Sequence, residues 1–340
     1  MSSWDPIRSR LIFQSGIGFI YRQLFMHPPP ITADVKLEGQ TAIITGSNTG
    51  LGLEAAKKLL QLDLSRLILA VRSQAKGDVA AEAVRNEFPH AQIEVWILDM
   101  EDPESVSAFA MRCQTLGRID MVILNAGVQN KDCVVSVKTG KEQTFQVNYL
   151  STIMLAVLLL PILKSKAGLA GKPARLTVVT STTAYFADFD HEKPILPQFD
   201  EKYDPTKWYA REKLLQMIVV RRLAALVSSD EVIINTVCPG LVGDTEIWRT
   251  INTSIVLRYM FAIYFALFGR SLAEGASTYV HAVALAGQES HGGFLSEWGV
   301  RPYPIIMYAK RGESLEKKVL LETRDILESF NVSHASRQDF

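Results

Sequence analysis

The stretch Thr41-Ala-Ile-Ile-Thr-Gly-Ser-Asn-Thr-Gly-Leu-Gly52 constrains this chain more than any other. Thr41 to Thr45 is β-branched and apolar, the makeup of a short buried strand. Gly46, Gly50 and Gly52 then punctuate a tight turn shared with Ser47, Asn48 and Leu51. Glu54 to Gln61 continues as a helix with Ala55, Ala56, Leu59 and Leu60 on its inner side. Strand, glycine turn and helix bring backbone N–H groups and the positive end of a helix to one point, which suits a pyrophosphate. The glycines allow a turn closed to other residues, close approach of backbone to phosphate, and tight packing of helix on strand. The plain alternative is a glycine-rich turn that binds nothing, and the rest of the chain weighs against it.

From Lys36 onward, strand and helix patterns alternate. Arg66 to Val71, Gln92 to Leu98, Ile119 to Leu124, Arg175 to Thr180 and Val232 to Val237 read as further strands. Between them, helices are expected over Ala75 to Phe88, Pro103 to Leu116, Thr144 to Leu163 and Thr206 to Val227, the second with Pro103 in its first turn. Near-continuous apolar strands joined by helices mean a parallel sheet covered on both faces. The fold class is therefore α/β, a single doubly wound Rossmann-type sheet of about seven strands with its ligand at the carboxyl ends of the strands. The expected organisation is a helical extension over 1–35, a dinucleotide-binding domain over 36–310, and a C-terminal helix and tail over 311–340.

Two stretches break the alternation. Phe186 to Asp204 reads as a polar loop containing proline, and residues 244–269 include the apolar run Tyr259 to Phe268. That run is short for a membrane span. It reads as a lid helix over an apolar pocket, with a membrane-dipping or dimer-contact helix as the alternative. Leu11 to Phe25 is apolar with Arg22 and Gln23 interspersed and has no small-residue cleavage site after it, so a signal peptide is not expected. It reads as a helix covering the domain or the site mouth, and the alternative is an amphipathic helix on a membrane.

Composition narrows the partners. The 340 residues carry a formal net charge of zero, which points away from nucleic acid. No run of about 18 apolar residues suggests a spanning helix. Cys113, Cys133 and Cys238 lie far apart without metal-ligand spacing, so free buried thiols, a reducing compartment and no metal are expected. A cytoplasmic location follows as an expectation.

By this point the residues carry a family. Thr45-Gly46-x-x-x-Gly50-x-Gly52, Asn125-Ala126-Gly127, Asn148, Ser181, Tyr209-x-x-x-Lys213 and Pro239-Gly240 stand in the order and positions of the short-chain dehydrogenase/reductases, and the chain resembles them over roughly residues 39–295. Gly18 to Phe25, Val147 to Thr152 and Ser290 to Ser296 look like the fungal secondary-metabolite reductases, with retinol dehydrogenase-like members nearby. The resemblance implies that Tyr209 exchanges a proton with the substrate oxygen, that Ser181 donates a hydrogen bond to it, and that Asn148 holds a water on Lys213.

Chemistry supports the pairing of Tyr209 with Lys213. A free phenol has a pKa near ~10, poorly matched to neutral pH. Lys213 lies one helical turn on, where its ammonium would lower that pKa. Tyr203-Asp-Pro-Thr-Lys207 has the same spacing, but Pro205 would break a helix interior between its two members.

Cofactor choice is read after the second strand. Arg72, helped by Lys76, stands where an acidic residue would favour NAD, and it can pair with a 2′-phosphate, so NADPH/NADP+ is expected. The family resemblance places Asp99 against the adenine, Asn125, Ala126 and Gly127 along the adenosine side, and Pro239, Gly240 and Val242 along the nicotinamide. Where the family has a threonine or serine five residues after that proline, this chain has Asp244, so the phosphate contact is assigned to Thr245. The expected activity is NADPH-dependent reduction of an apolar ketone or aldehyde. A membrane-associated retinoid- or steroid-type dehydrogenase, and a non-redox cyclase or binding protein, are the rival readings.

Overall fold

The computed structural model describes residues 14–31, 35–243, 265, 267–308 and 310–330. Strands β1 (Thr41–Thr45), β2 (Arg66–Val71), β3 (Gln92–Ile97), β4 (Met121–Leu124), β5 (Ala174–Val179) and β6 (Val232–Cys238) fall where the apolar runs lie. Every residue of β1, β4 and β6 is buried, so both faces of the sheet need cover. Helices α2 (Gly50–Leu60) and α3 (Gln74–Glu87) cover one face. Ala55, Leu59, Ala81 and Val84 pack there with Ile44 and Leu69. Helix α4 (Pro103–Gln114) and the long helices described next cover the other, where Phe109, Leu155 and Leu215 pack with Ile43, Val122 and Ile234. Asp102 caps α4 by accepting from the Glu104 N–H at 3.0 Å, and Pro103 opens the helix without a donor to satisfy.

The sheet order is β3-β2-β1-β4-β5-β6-β7-β8, with β7 (Phe294–Ser296) parallel to β6 and β8 (Gly299–Arg301) antiparallel to β7. The chain departs in opposite directions from β1, and the crevice at that switch point is where such sheets hold ligands. Eight strands replace the expected seven or so. The additional pair is three residues per strand, too short to show a period. Its turn also lacks the usual signal: Glu297 and Trp298 both adopt left-handed backbone, φ 46° and 53°. Neighbours hold them there. Arg22 pairs with Glu297 at 3.4 Å, Trp298 Nε1 donates to Ser277 Oγ at 2.9 Å, and the Arg270 guanidinium lies 4.7 Å from the centre of the indole.

The long apolar helix is not uniform. Residues Phe145–Ser151 form a π-helical turn that runs into α5 (Thr152–Ala170). This helix is long and apolar enough to cross a membrane, contrary to the sequence expectation, but 89% of its most apolar window is buried inside the protein. It is followed by α6 (Pro205–Ala224), α7 (Leu272–Val280), which packs beside α2, and α8 (Lys310–Ser329), which packs against α6 through Leu315, Val319 and Leu327. Near the chain start, α1 (Gly16–Phe25) is capped by Ser15, whose Oγ accepts from Gly18 N at 3.0 Å.

Two further expectations change. The stretch 186–204 is no open loop, because Phe189, Ile195, Leu196 and Phe199 are buried in the core. Of the three cysteines, Cys113 and Cys238 are buried and Cys133 is exposed. Of the expected lid, the run 259–264 and residue 266 lie outside the described residues, as does Thr245.

Candidate active site

The carboxyl ends of β1, β4, β5 and β6 open onto a cavity of about 880 Å³, within the usual size of a ligand pocket. At the β1 end, Gly46 and Gly50 have φ of 63° and 57°, the left-handed backbone that glycine adopts without cost. A side chain at Gly52 would meet the Gly46 carbonyl and the Asn125 amide at 2.6 Å, so only glycine lets α2 start this close to the strand. Asn48, Gly50 and Leu51 line the cavity. Ser47 does not: it is fully buried and its hydroxyl donates back to the Ile44 carbonyl at 2.8 Å.

Asn125, Ala126 and Gly127 follow β4 and line the same cavity. The Asn125 amide is already occupied, donating to the Thr45 and Gly46 carbonyls at 2.9 and 3.1 Å, while Thr45 Oγ1 accepts from the Asn125 and Ala126 N–H groups. Asn125 therefore ties the glycine turn to β4. Arg72, Lys76 and Asp99 form the far wall. Arg72 is paired with Glu101 at 2.8 Å, a partner the sequence reading passed over.

Ser181 follows β5 and Tyr209 lies in the first turns of α6, on the cavity wall with Lys213. Ser181 Oγ accepts from the Thr183 N–H at 3.2 Å, and its side chain acts on the Tyr209 phenol in favour of the phenolate. The Lys213 ammonium sits 5.4 Å from the centre of the Tyr209 ring and donates to the Val179 carbonyl at 3.0 Å. Pro205 stands at the start of α6 with Asp204 as its cap, so Tyr203 precedes the helix and donates instead to the Asn130 carbonyl at 2.7 Å.

The electrostatics differ from the expectation. Burial dominates at Tyr209 and raises its phenol above the ordinary value, Cys238 and Glu212 push the same way, and the Ser181 hydrogen bond is the opposing influence. Burial also lowers the Lys213 ammonium below its ordinary value. Lys213 thus does not make Tyr209 a ready phenolate in this state.

Asn148 lies in the π turn, fully buried and behind the cavity wall rather than on it. Its amide donates to the Val128 carbonyl at 2.8 Å and to Glu212 at 2.7 Å, and its Oδ1 accepts from the Val128 N–H at 2.8 Å. Its carbonyl accepts from Gln216 Nε2 at 2.5 Å. These contacts bracket the backbone beside the site.

Pro239, Gly240 and Val242 complete the wall beyond β6. Here α1 comes to the cavity, at the site mouth where the sequence reading set a covering helix. Phe19 lines the cavity, and Gln23 donates to the Leu241 and Phe268 carbonyls at 3.2 and 2.8 Å and accepts from the Leu241 N–H at 3.3 Å. The sequence did not show which backbone Gln23 would reach.

Comparison with known proteins agrees with this geometry. A profile described as short chain dehydrogenase matches residues 40–187. The chain is 43% identical over 325 residues to the short chain dehydrogenase virL of Hypocrea virens, covering 94% of this chain and 93% of that protein. It is 45% identical over 317 residues to the short chain dehydrogenase/reductase mfmJ of Annulohypoxylon moriforme, covering 92% and 90%. Among solved structures it resembles the L-sorbose reductase of Gluconobacter frateurii in complex with NADPH and L-sorbose, TM-score 0.59 at 20% identity, covering 77% of this chain and 96% of that one. The chain belongs to the short-chain dehydrogenase/reductase family of oxidoreductases.

Proposed function

We propose that this protein is an NADPH-dependent reductase that acts on the carbonyl of an apolar secondary-metabolite ketone or aldehyde, with Tyr209 as the general acid. The carrying observation is the Tyr209 side chain on the cavity wall beside Ser181, faced by the Lys213 ammonium. The residues fit the dinucleotide: the Gly46–Gly52 turn is a cradle that any Cβ at Gly52 would fill, and Arg72 supplies a charge for a 2′-phosphate. NADPH in a solved neighbour of the same fold supports the choice of cofactor. When bound, the dinucleotide supplies the hydride.

The chain's own residues do the rest. Ser181 holds the carbonyl oxygen by a hydrogen bond. Tyr209 gives that oxygen its proton as negative charge develops there. The Lys213 charge beside the ring stabilises the phenolate left behind. Phe19, Val128, Leu241 and Tyr279 give the cavity an apolar lining suited to a substrate with little charge.

Single-turnover hydride transfer from NADPH to a panel of apolar ketones and aldehydes tests this reading. Tyr209→Phe keeps the ring and removes the acid, so the rate should fall by at least roughly 10²–10⁴-fold with NADPH still bound. Tyr203→Phe should stay within a few-fold of wild type. An active Tyr209→Phe would place the chemistry elsewhere.

A further inference from the structure

Behind the cavity wall lies a pair of carboxyl groups that the proposed reaction does not use. Glu212 is fully buried on α6, between Tyr209 and Lys213 in sequence, and Glu142 is buried just before the π turn. Between them stands the hydroxyl of Thr144, also buried, 2.5 Å from Glu142 Oε2 and 3.0 Å from Glu212 Oε1. A threonine hydroxyl carries one proton and can donate once. With both carboxyl groups ionised, one of these two contacts would set lone pair against lone pair among buried side chains. One acid must therefore bring a proton of its own.

The surroundings decide which. Glu142 Oε2 also accepts from the Phe145 N–H at 3.0 Å, at the amino end of a long helix, where a negative charge is favoured. Glu212 has no cation within ion-pair distance among the described residues: the Lys213 ammonium is turned to the Val179 carbonyl. Its other oxygen accepts from the Asn148 amide at 2.7 Å. We propose that Glu212 is held inside the fold as the neutral acid, donating to Thr144, which donates in turn to an ionised Glu142, and that this neutral carboxyl positions Asn148 behind the active-site wall.

The neutral form has a purpose. An ionised Glu212 would raise the Tyr209 phenol further and offset the charge of Lys213. As the acid, it braces Asn148 and leaves that charge to Tyr209. Glu212 is thus a positioning residue, not a catalytic one. Burial pushes its carboxyl up from 4.5 to about 8, in keeping with the hydrogen-bond count. The titratable groups that face it are Lys213 and Tyr209 from its own helix, Glu142 from the stretch before the π turn, and Tyr203 from the stretch before α6. The inference concerns the protonation of the fold and needs no turnover, so its failure and that of the proposed reaction are separable.

The test uses the full chain without substrate. Infrared spectra of the wild type at neutral pH should show a carboxylic-acid carbonyl stretch that is absent from Glu212→Gln and disappears on titration through about pH 8. Thermal unfolding gives a second reading. A group whose folded pKa is raised costs stability as pH climbs from 4.5 to about 8, since the unfolded chain releases the proton first. Glutamine, which can donate to Thr144 and accept from Asn148, should therefore be more stable than wild type by a margin that widens over that window and then levels off. Glu212→Ala should not share that rescue. A wild-type spectrum without the acid band, or a stability difference of the opposite slope, overturns the proposal. If Glu212→Gln does not fold, the band should still shift in Glu142→Gln, and its failure to do so overturns the proposal equally.

Discussion

Under the proposed function Arg72 is the residue on which cofactor choice turns, and in the structure it is already paired with Glu101. Its pair with Glu101 is exposed on the arginine side, so it is worth no more than about 1 kcal/mol. A charge-assisted bond to a phosphate is worth about 1.5–3 kcal/mol, so a 2′-phosphate outcompetes the carboxylate. Arg72→Ala should weaken NADPH binding by that amount and leave NADH binding nearly unchanged. Glu101→Gln should tighten NADPH binding by up to about fivefold. Titration of cofactor fluorescence measures both, and a cofactor affinity indifferent to Arg72 would disprove the assignment. Tyr209 sets the pH behaviour. Its phenol is raised, so the acid stays loaded at every pH below its ordinary 10.0. Reductive turnover should show no alkaline loss from this group near neutrality. Alcohol oxidation, which needs the phenolate, should accelerate as pH rises. Rate profiles in the two directions read the difference.

At the scale of elements, the site is assembled by three unlike devices: a glycine turn between β1 and α2, the start of α6, and the far end of α1. The first two were legible in the sequence because each rests on local rules. Gly46 and Gly50 mark left-handed backbone, and Pro205 fixes where α6 begins and so excludes Tyr203 from the helix. The third was only half legible. Periodicity shows that residues 16–25 form a helix, but not that Gln23 reaches the backbone of Leu241 more than 200 positions later. The π turn at Asn148 was invisible for a related reason. Its extra residue is supported by a tertiary partner, Gln216 on the Asn148 carbonyl, and by the Thr152 hydroxyl of the same helix on the Val147 carbonyl at 2.9 Å. Glu297 and Trp298 were missed because an arginine and an aromatic stack enforce a turn that their own preferences oppose. Gln23→Ala removes three hydrogen bonds at the cavity mouth. It should raise the substrate KM while leaving the Kd for NADPH, whose glycine turn and Arg72 are untouched, within about twofold. Equal loss of both would show that α1 supports the whole fold rather than the mouth.

Taken whole, the molecule protects its thiols unequally. Cys113 and Cys238 are buried, and burial pushes the Cys113 thiol up to about 12, so neither offers a thiolate to reagents. A maleimide should label one thiol per chain, Cys133, in the native protein and three after denaturation. Labelling of Cys238 in the native state would mean that the end of β6 opens in solution.

The chain leaves the sheet at Gly243 and is back beside the same point at Arg270. Val242 and Arg270 form a parallel bridge in which Arg270 N donates to the Leu241 carbonyl at 2.7 Å, and Gln23 holds both sides at once. This pinch ties the end of α1, the stretch after β6 and the approach to α7 to one point on the cavity wall. Segments far apart in sequence thus share a single fastening, and a substitution at Gln23 or Arg270 acts on all of them together.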